Sequence, residues 1–129
     1  MPEAVNGTTR IHYDTKGDRN NPSILLINGY TQPMTSFMDG FCQLLVDAGY
    51  HVIRFDNRDV GLTSKTQGDP PDLQGIITAV MANQTLPQVP YTLEDMAADA
   101  FAVLDAASIS SAHIVGVAMG GYTARTMAI

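Results

Sequence analysis

Thr9-Arg10-Ile11-His12-Tyr13 alternates polar and apolar side chains, the period of a half-buried strand. A polar turn over 16–22 separates it from Ser23-Ile24-Leu25-Leu26-Ile27, an unbroken apolar run that halts at Asn28-Gly29. Short apolar runs bounded by turn residues suit strands covered on both faces, as in parallel sheets. Phe37, Phe41, Leu44, Leu45 and Ala48 then recur at i, i+4, i+7, i+8 and i+11, which makes one apolar helix face. Thr35 or Ser36 is placed to cap that helix, and Gly49 to end it in a left-handed turn. His51-Val52-Ile53-Arg54-Phe55 reads as the next strand, closed by a polar turn over 56–61.

Residues 68–90 break the rhythm. Gly68-Asp69-Pro70-Pro71 and the prolines of 87–90 bracket one short apolar piece, Leu73–Met81, which reads as a surface excursion with a short helix. Its apolar side chains either cover a pocket mouth or pack locally. Thr92 opens a long helix: Asp95 completes a capping box, Tyr91 can staple onto Met96, and Met96, Ala100, Val103, Leu104 and Ala107 repeat the apolar spacing. Residues 112–117 form another buried strand, and Met119-Gly120-Gly121 leads into a last helical segment. Strands alternating with helices predict βαβ units, a parallel sheet and an α/β fold over residues 1–129. Ligands of such sheets sit beyond the carboxyl ends of the strands.

Composition narrows the chemistry. Seven Lys and Arg against 13 Asp and Glu give a net charge of -6, which argues against nucleic acid and anionic membrane. No apolar run approaches the roughly 20 residues of a bilayer span, and MPEAVNGTTR lacks a secretion signal. Cys42 is the single cysteine, so no internal disulfide forms, and it reads as a core thiol. A reducing cytoplasmic setting is expected, and the sequons at Asn6 and Asn83 carry little weight there. No His/Cys/Asp group has metal-ligand spacing, and neither dinucleotide nor P-loop motif occurs, so no cofactor is expected.

Three strand ends carry glycine turns, and these carry a resemblance. Gly116-Val117-Ala118-Met119-Gly120 resembles the G-x-S-x-G nucleophile elbow of the α/β-hydrolases, with Ala118 where the serine belongs. Ile27-Asn28-Gly29-Tyr30 is similar to that family's His-Gly turn, with Asn28 in place of histidine. Arg54 to Leu62 resembles its D-x-R-x-x-G loop, with Asp56, Arg58 and Gly61 matching. The order and spacing are those of carboxylic-ester hydrolases similar to aclacinomycin methylesterase, over nearly the whole chain from Gly7.

The resemblance implies a parallel-sheet hydrolase fold, here its N-terminal half with five strands. It implies a serine attacking an ester carbonyl, with the oxyanion held by backbone N–H groups that fall by position on Met119 and Tyr30. Asn28 and Gly29 would organise that loop and border the ligand. Gly116 and Gly120 would shape the elbow, and Asp56, Arg58 and Asp59 would hold their loop by ion pairs and hydrogen bonds. A small carboxylic ester or acid is the implied ligand.

Two departures follow. Ala118 has no hydroxyl, and the family's acid and histidine come after the nucleophile in the chain. His12, His51 and His113 lie on or at the start of strands, away from the elbow, and nothing activates Ser36 or Ser64. The chain alone is therefore expected to be inactive, as a truncated or split hydrolase, with a non-catalytic ligand-binding module as the alternative. An incomplete core would leave the 114–117 edge unpaired, which predicts pairing with a complementary chain or self-association.

Overall fold

The apolar runs pair into one sheet. The strands are β1 (Glu3–Asn6), β2 (Thr9–Lys16), β3 (Ser23–Ile27), β4 (His51–Phe55) and β5 (His113–Gly116). They stand in the order β1-β2-β4-β3-β5. This computed structural model describes residues 2–68, 71–85 and 89–129. β1 and β2 form an antiparallel hairpin, and β2 pairs antiparallel with β4. β3 lies parallel between β4 and β5, with Leu25 opposite Ile53 on one side and Ile114 on the other. Every residue of β3 and β4 is buried, as their continuous apolar character requires.

The pleat sorts side chains to two faces. Leu25, Ile27, Ile53 and Phe55 pack with Ile11, Tyr13 and the Ala100, Val103 and Leu104 stripe of α3 (Leu93–Ala106). Ile24, Leu26 and Val52 pack on the other face with Phe37 and Cys42. Burial pushes the Cys42 thiol up, as suits an inert core sulfhydryl. α3 begins with the expected capping box: the Thr92 amide donates to Asp95 (2.8 Å) and the Asp95 amide to Thr92 Oγ1 (3.3 Å). α4 (Met119–Ala128) follows β5 directly.

The structure departs from the sequence expectation in four places, three of them in β1 and α1. β1 had no alternating pattern long enough to announce it, and it forms because Gly7 (φ 62°) turns the chain back along β2. The helix after β3 starts later than Thr35 or Ser36 would cap it. Met34–Ser36 makes a 3-10 turn instead, and α1 (Asp39–Asp47) begins behind Met38 with no side-chain cap. The cause is tertiary. Buried Arg54 donates to the Phe37 carbonyl (2.6 Å), to both Asp14 oxygens (2.8 and 2.9 Å) and to Asp39 (2.9 Å), which pins the chain before the helix. The late start turns the buried face to Cys42, Leu45 and Val46, leaving Phe41 45% and Leu44 68% exposed. Gly49 (φ 97°) does end the helix as a left-handed stop.

The excursion contains α2 (Leu73–Met81), capped by Asp72, which accepts from the Gly75 amide. Its turn positions at Asp69, Pro70 and Pro87 lie outside the described residues. Ala79 is buried and Ile76 half-buried, while Leu73, Ile77, Val80 and Met81 point to solvent. Among the described residues no helix is long and apolar enough to cross a membrane, and no three His, Cys, Asp or Glu side chains gather as metal ligands. β5, expected as a buried strand over 112–117, instead stands at the sheet edge with none of its residues buried and Val115 43% exposed, because β3 pairs with it on one side only.

Candidate active site

Three loops at the carboxyl ends of β3, β4 and β5 meet around a cleft of about 610 Å³. Tyr30, Asn57, Arg58, Gly61, Tyr91 and Met119 are among the residues that line it. The parallel arrangement of these three strands is what brings their distal turns to one end.

The β5–α4 junction is a strained turn. Ala118, the residue before α4, has φ 53° and ψ −119°, a region that a Cβ disfavours. The surrounding main chain leaves no room for side chains. A Cβ on Gly116 would strike the carbonyl of Gly120, and one on Gly120 would strike that of Ile27. The Val117 amide donates to the Ile27 carbonyl (3.0 Å), which fixes this turn against the end of β3. A Cβ built on Gly29 would lie 3.4 Å from the Ala118 methyl, so the two turns touch where the site forms.

Asn28 organises its own loop. Its Oδ1 accepts from the Gly29 amide (2.8 Å), its Nδ2 donates to the Pro33 carbonyl (3.0 Å), and its own carbonyl accepts from Asn57 Nδ2 (3.1 Å). Thr31 follows at φ 64°, a rare conformation for a β-branched residue. Among the described residues, neither the Tyr30 nor the Met119 amide has an intramolecular acceptor. Both residues line the cleft, and the Met119 amide lies in the first turn of α4, where the helix dipole favours negative charge.

The loop after β4 is held by its own acids. Asp56 is buried and accepts from the Met34 amide (2.7 Å) and the Leu62 amide (3.0 Å). The buried Thr63 hydroxyl closes the loop onto the Asp56 carbonyl (2.7 Å). Asp59, at φ 64°, accepts from Thr66. Burial works to raise the Asp59 carboxyl, but hydrogen bonds from Thr66, then Tyr91, hold it below its ordinary value. Arg58 gives a two-pronged bond to Asp99 on α3: Nε to Oδ2 at 2.6 Å and Nη2 to Oδ1 at 3.0 Å. That bond raises the Arg58 guanidinium further above its already high value. Arg58 also lies over the Tyr91 ring, 5.3 Å from its centre. Burial, then Asp59, pushes the Tyr91 phenol up.

Of the residues singled out from sequence, Asn28, Gly29, Tyr30, Gly116, Ala118, Met119 and Gly120 come together at one end of the sheet, with Arg58 and Asp59 on the facing wall. The histidines do not join them. His51 and His113 stand at the opposite ends of their strands, and His12 is buried in mid-β2. Leu73, Ile77, Val80 and Met81 do not line the cleft. Sequence reasoning missed Asn57, Thr63 and Asp99, and took Tyr91 only as a staple. Asp99 had a signal: a carboxylate between Met96 and Ala100 on an otherwise apolar helix face needs a buried cation.

Comparison with known proteins bears on the family and the fold. The sequence pattern described as the alpha/beta hydrolase fold matches residues 22–129. A rhodomycin D methylesterase of Streptomyces peucetius is 33% identical over 113 residues, 88% of this chain and 32% of the relative. Epoxide hydrolase A of Mycobacterium thermoresistibile superposes with a TM-score of 0.73 at 24% identity, covering 99% of this chain and 34% of that one. The enol-lactonase of Burkholderia xenovorans LB400 gives 0.67 at 25% identity, covering 95% of this chain and 39% of its own. The chain thus spans about a third of the length of the curated relatives it matches.

Proposed function

We propose, because this chain belongs to the α/β-hydrolase family, that its site is that of a carboxylic-ester hydrolase from which the nucleophile is missing. The observation that carries this reading is Ala118 at φ 53° and ψ −119°, held between Gly116 and Gly120 at the start of α4. Elbow geometry serves to lift a nucleophile's side chain out of the main chain. Here it lifts a methyl group.

The expected chemistry follows from the groups present. An ester carbonyl seated at Ala118 would direct its oxygen to the free Met119 and Tyr30 amides, which hold an oxyanion without needing the Ala118 side chain. Asn28 and Gly29 keep the Tyr30 amide in place through their own hydrogen bonds. Gly116 and Gly120 allow the close packing of the turn, and Asp56, Arg58 and Asp59 hold the opposite wall. Attack is absent, because a methyl has no lone pair to donate and, among the described residues, no histidine lines the cleft. In a serine protease, loss of the nucleophile alone costs about 2 × 10⁶ in turnover. We therefore read the site as that of an ester hydrolase for small carboxylic esters which, with Ala118 in the nucleophile's place, does not turn its ligand over.

A second reading, a binding module that never cleaves, rests on the same alanine. The exposed edge of β5 supports a further element of the proposal, a complementary chain or a second copy pairing there. The single buried Cys42 fits a cytoplasmic setting.

The test is direct. The chain is titrated with methyl phenylacetate by NMR and assayed with 4-nitrophenyl acetate. Saturable binding with hydrolysis at the buffer rate is expected; turnover by the unaltered chain would sink the missing-nucleophile reading, and absence of binding would sink the ester site. Ala118→Ser in a protein that also carries a downstream acid and histidine separates the two readings. Ester turnover returns for a hydrolase and stays absent for a binding module.

A further inference from the structure

Asp99 is 2% exposed, yet it sits on the face of α3 that buries Met96, Ala100 and Val103. A carboxylate there is tolerated only if its oxygens are filled. Three bonds fill them. Arg58 gives the fork described above, and Asn6 Nδ2 of β1 donates to Oδ1 at 2.7 Å. Asp99 therefore ties the loop after β4, the first hairpin and α3 at one point.

Arg58 is held to the α3 region twice. Its edge meets Asp99 within the helix, and its face meets Tyr91, the residue before the Thr92 cap. Arg58 and Tyr91 both line the cleft. A planar guanidinium gripped at its edge has one orientation, so the plane of Arg58 and the seat of the Tyr91 ring are set together. Without the fork, the Arg58 side chain has several rotamers open to it.

We propose that Asp99 is a positioning residue for the ligand cleft: by clamping Arg58 it fixes the Arg58–Tyr91 wall and so the shape that a bound ester meets. This rests on the reading of the cleft as the ester site. Asn6 shares the carboxylate but not the cleft, so it belongs to the structural side of the same cluster and serves as the control.

The experiment uses the full chain and two readouts. One is the Tyr91 ring resonance, identified through Tyr91→Phe. The other is the dissociation constant for methyl phenylacetate. Arg58→Lys keeps the positive charge beside Asp99 but loses the fork and the stack. It should move the Tyr91 resonance and weaken the probe by about fivefold or more. Asp99→Asn should do the same where it folds, and Asp99→Glu should recover part of the loss. Asn6→Ala should lower the unfolding midpoint while leaving the resonance and affinity in place. An unmoved Tyr91 ring in Arg58→Lys, or an equal effect from Asn6→Ala, would overturn the proposal. If the unaltered chain does not bind the probe, the ester-site reading fails, and the Tyr91 resonance still decides whether Asp99 builds the wall.

Discussion

Gly120, in the first turn of α4, lies directly against the main-chain carbonyl of Ile27 at the end of β3. No side chain fits between them. The contact draws the β5–α4 turn onto the β3 loop, and so places the Met119 and Tyr30 amides on one cleft.

Gly120→Ala should therefore be strongly destabilising, because backbone on both sides cannot yield as a side chain can. A loss of about 2–4 kcal/mol is expected, at the upper end of overpacking effects. Urea unfolding of the two proteins measures it. A loss below about 0.5 kcal/mol, within the range of ordinary surface substitutions, would show that the turn relaxes freely.

Ala118→Gly should behave in the opposite sense. Ala at φ 53° and ψ −119° carries strain of about 1–3 kcal/mol, which glycine does not. Glycine's extra freedom in the unfolded chain offsets about 0.4–1 kcal/mol of that gain. The expected result is equal or greater stability, against the usual loss when Ala becomes Gly. A clear drop in the urea midpoint would contradict the strained turn.

His51 makes stability depend on mild acidity. Burial, then the positive charge of Arg19, lowers its pKa against the opposing pull of Asp18. Folded His51 resists a proton that the unfolded chain accepts near pH 6.5. Between these values the unfolded state binds more protons, so stability rises with pH. The contribution is fully present above about pH 6.5 and is lost as pH falls through the lower folded value. Urea midpoints measured from pH 7.5 to 5 should fall, and His51→Gln should flatten that fall. Asp59, whose pKa is lowered, acts in a separate and more acidic window.

The elements that sequence reading located share a local cause. The Thr92–Asp95 capping box, the Gly49 stop and the apolar run over 23–27 each depend on residues within a turn or two of one another. β1 escaped because four residues hold too little period to stand out. α1 starts later than its local signals indicate because Arg54, distant in sequence, takes the Phe37 carbonyl and Asp39. In the candidate site the glycine turns were legible, since a chain that must reverse in little space needs glycine at set intervals. The partners across the cleft were not.

By itself the sequence determined the alternation of strands and helices, the three glycine-bearing strand ends, and the absence of a hydroxyl at Ala118. These are properties of neighbouring residues or of one side chain, and they hold wherever the segments come to lie. Tertiary structure alone decided that Arg58 would meet Asp99, 41 positions away, and that Asn6 would meet it across 93. A carboxylate can accept from any donor the chain carries. Only the folding of α3 beside β1 and the loop after β4, which buried the charge and excluded water, selected these two.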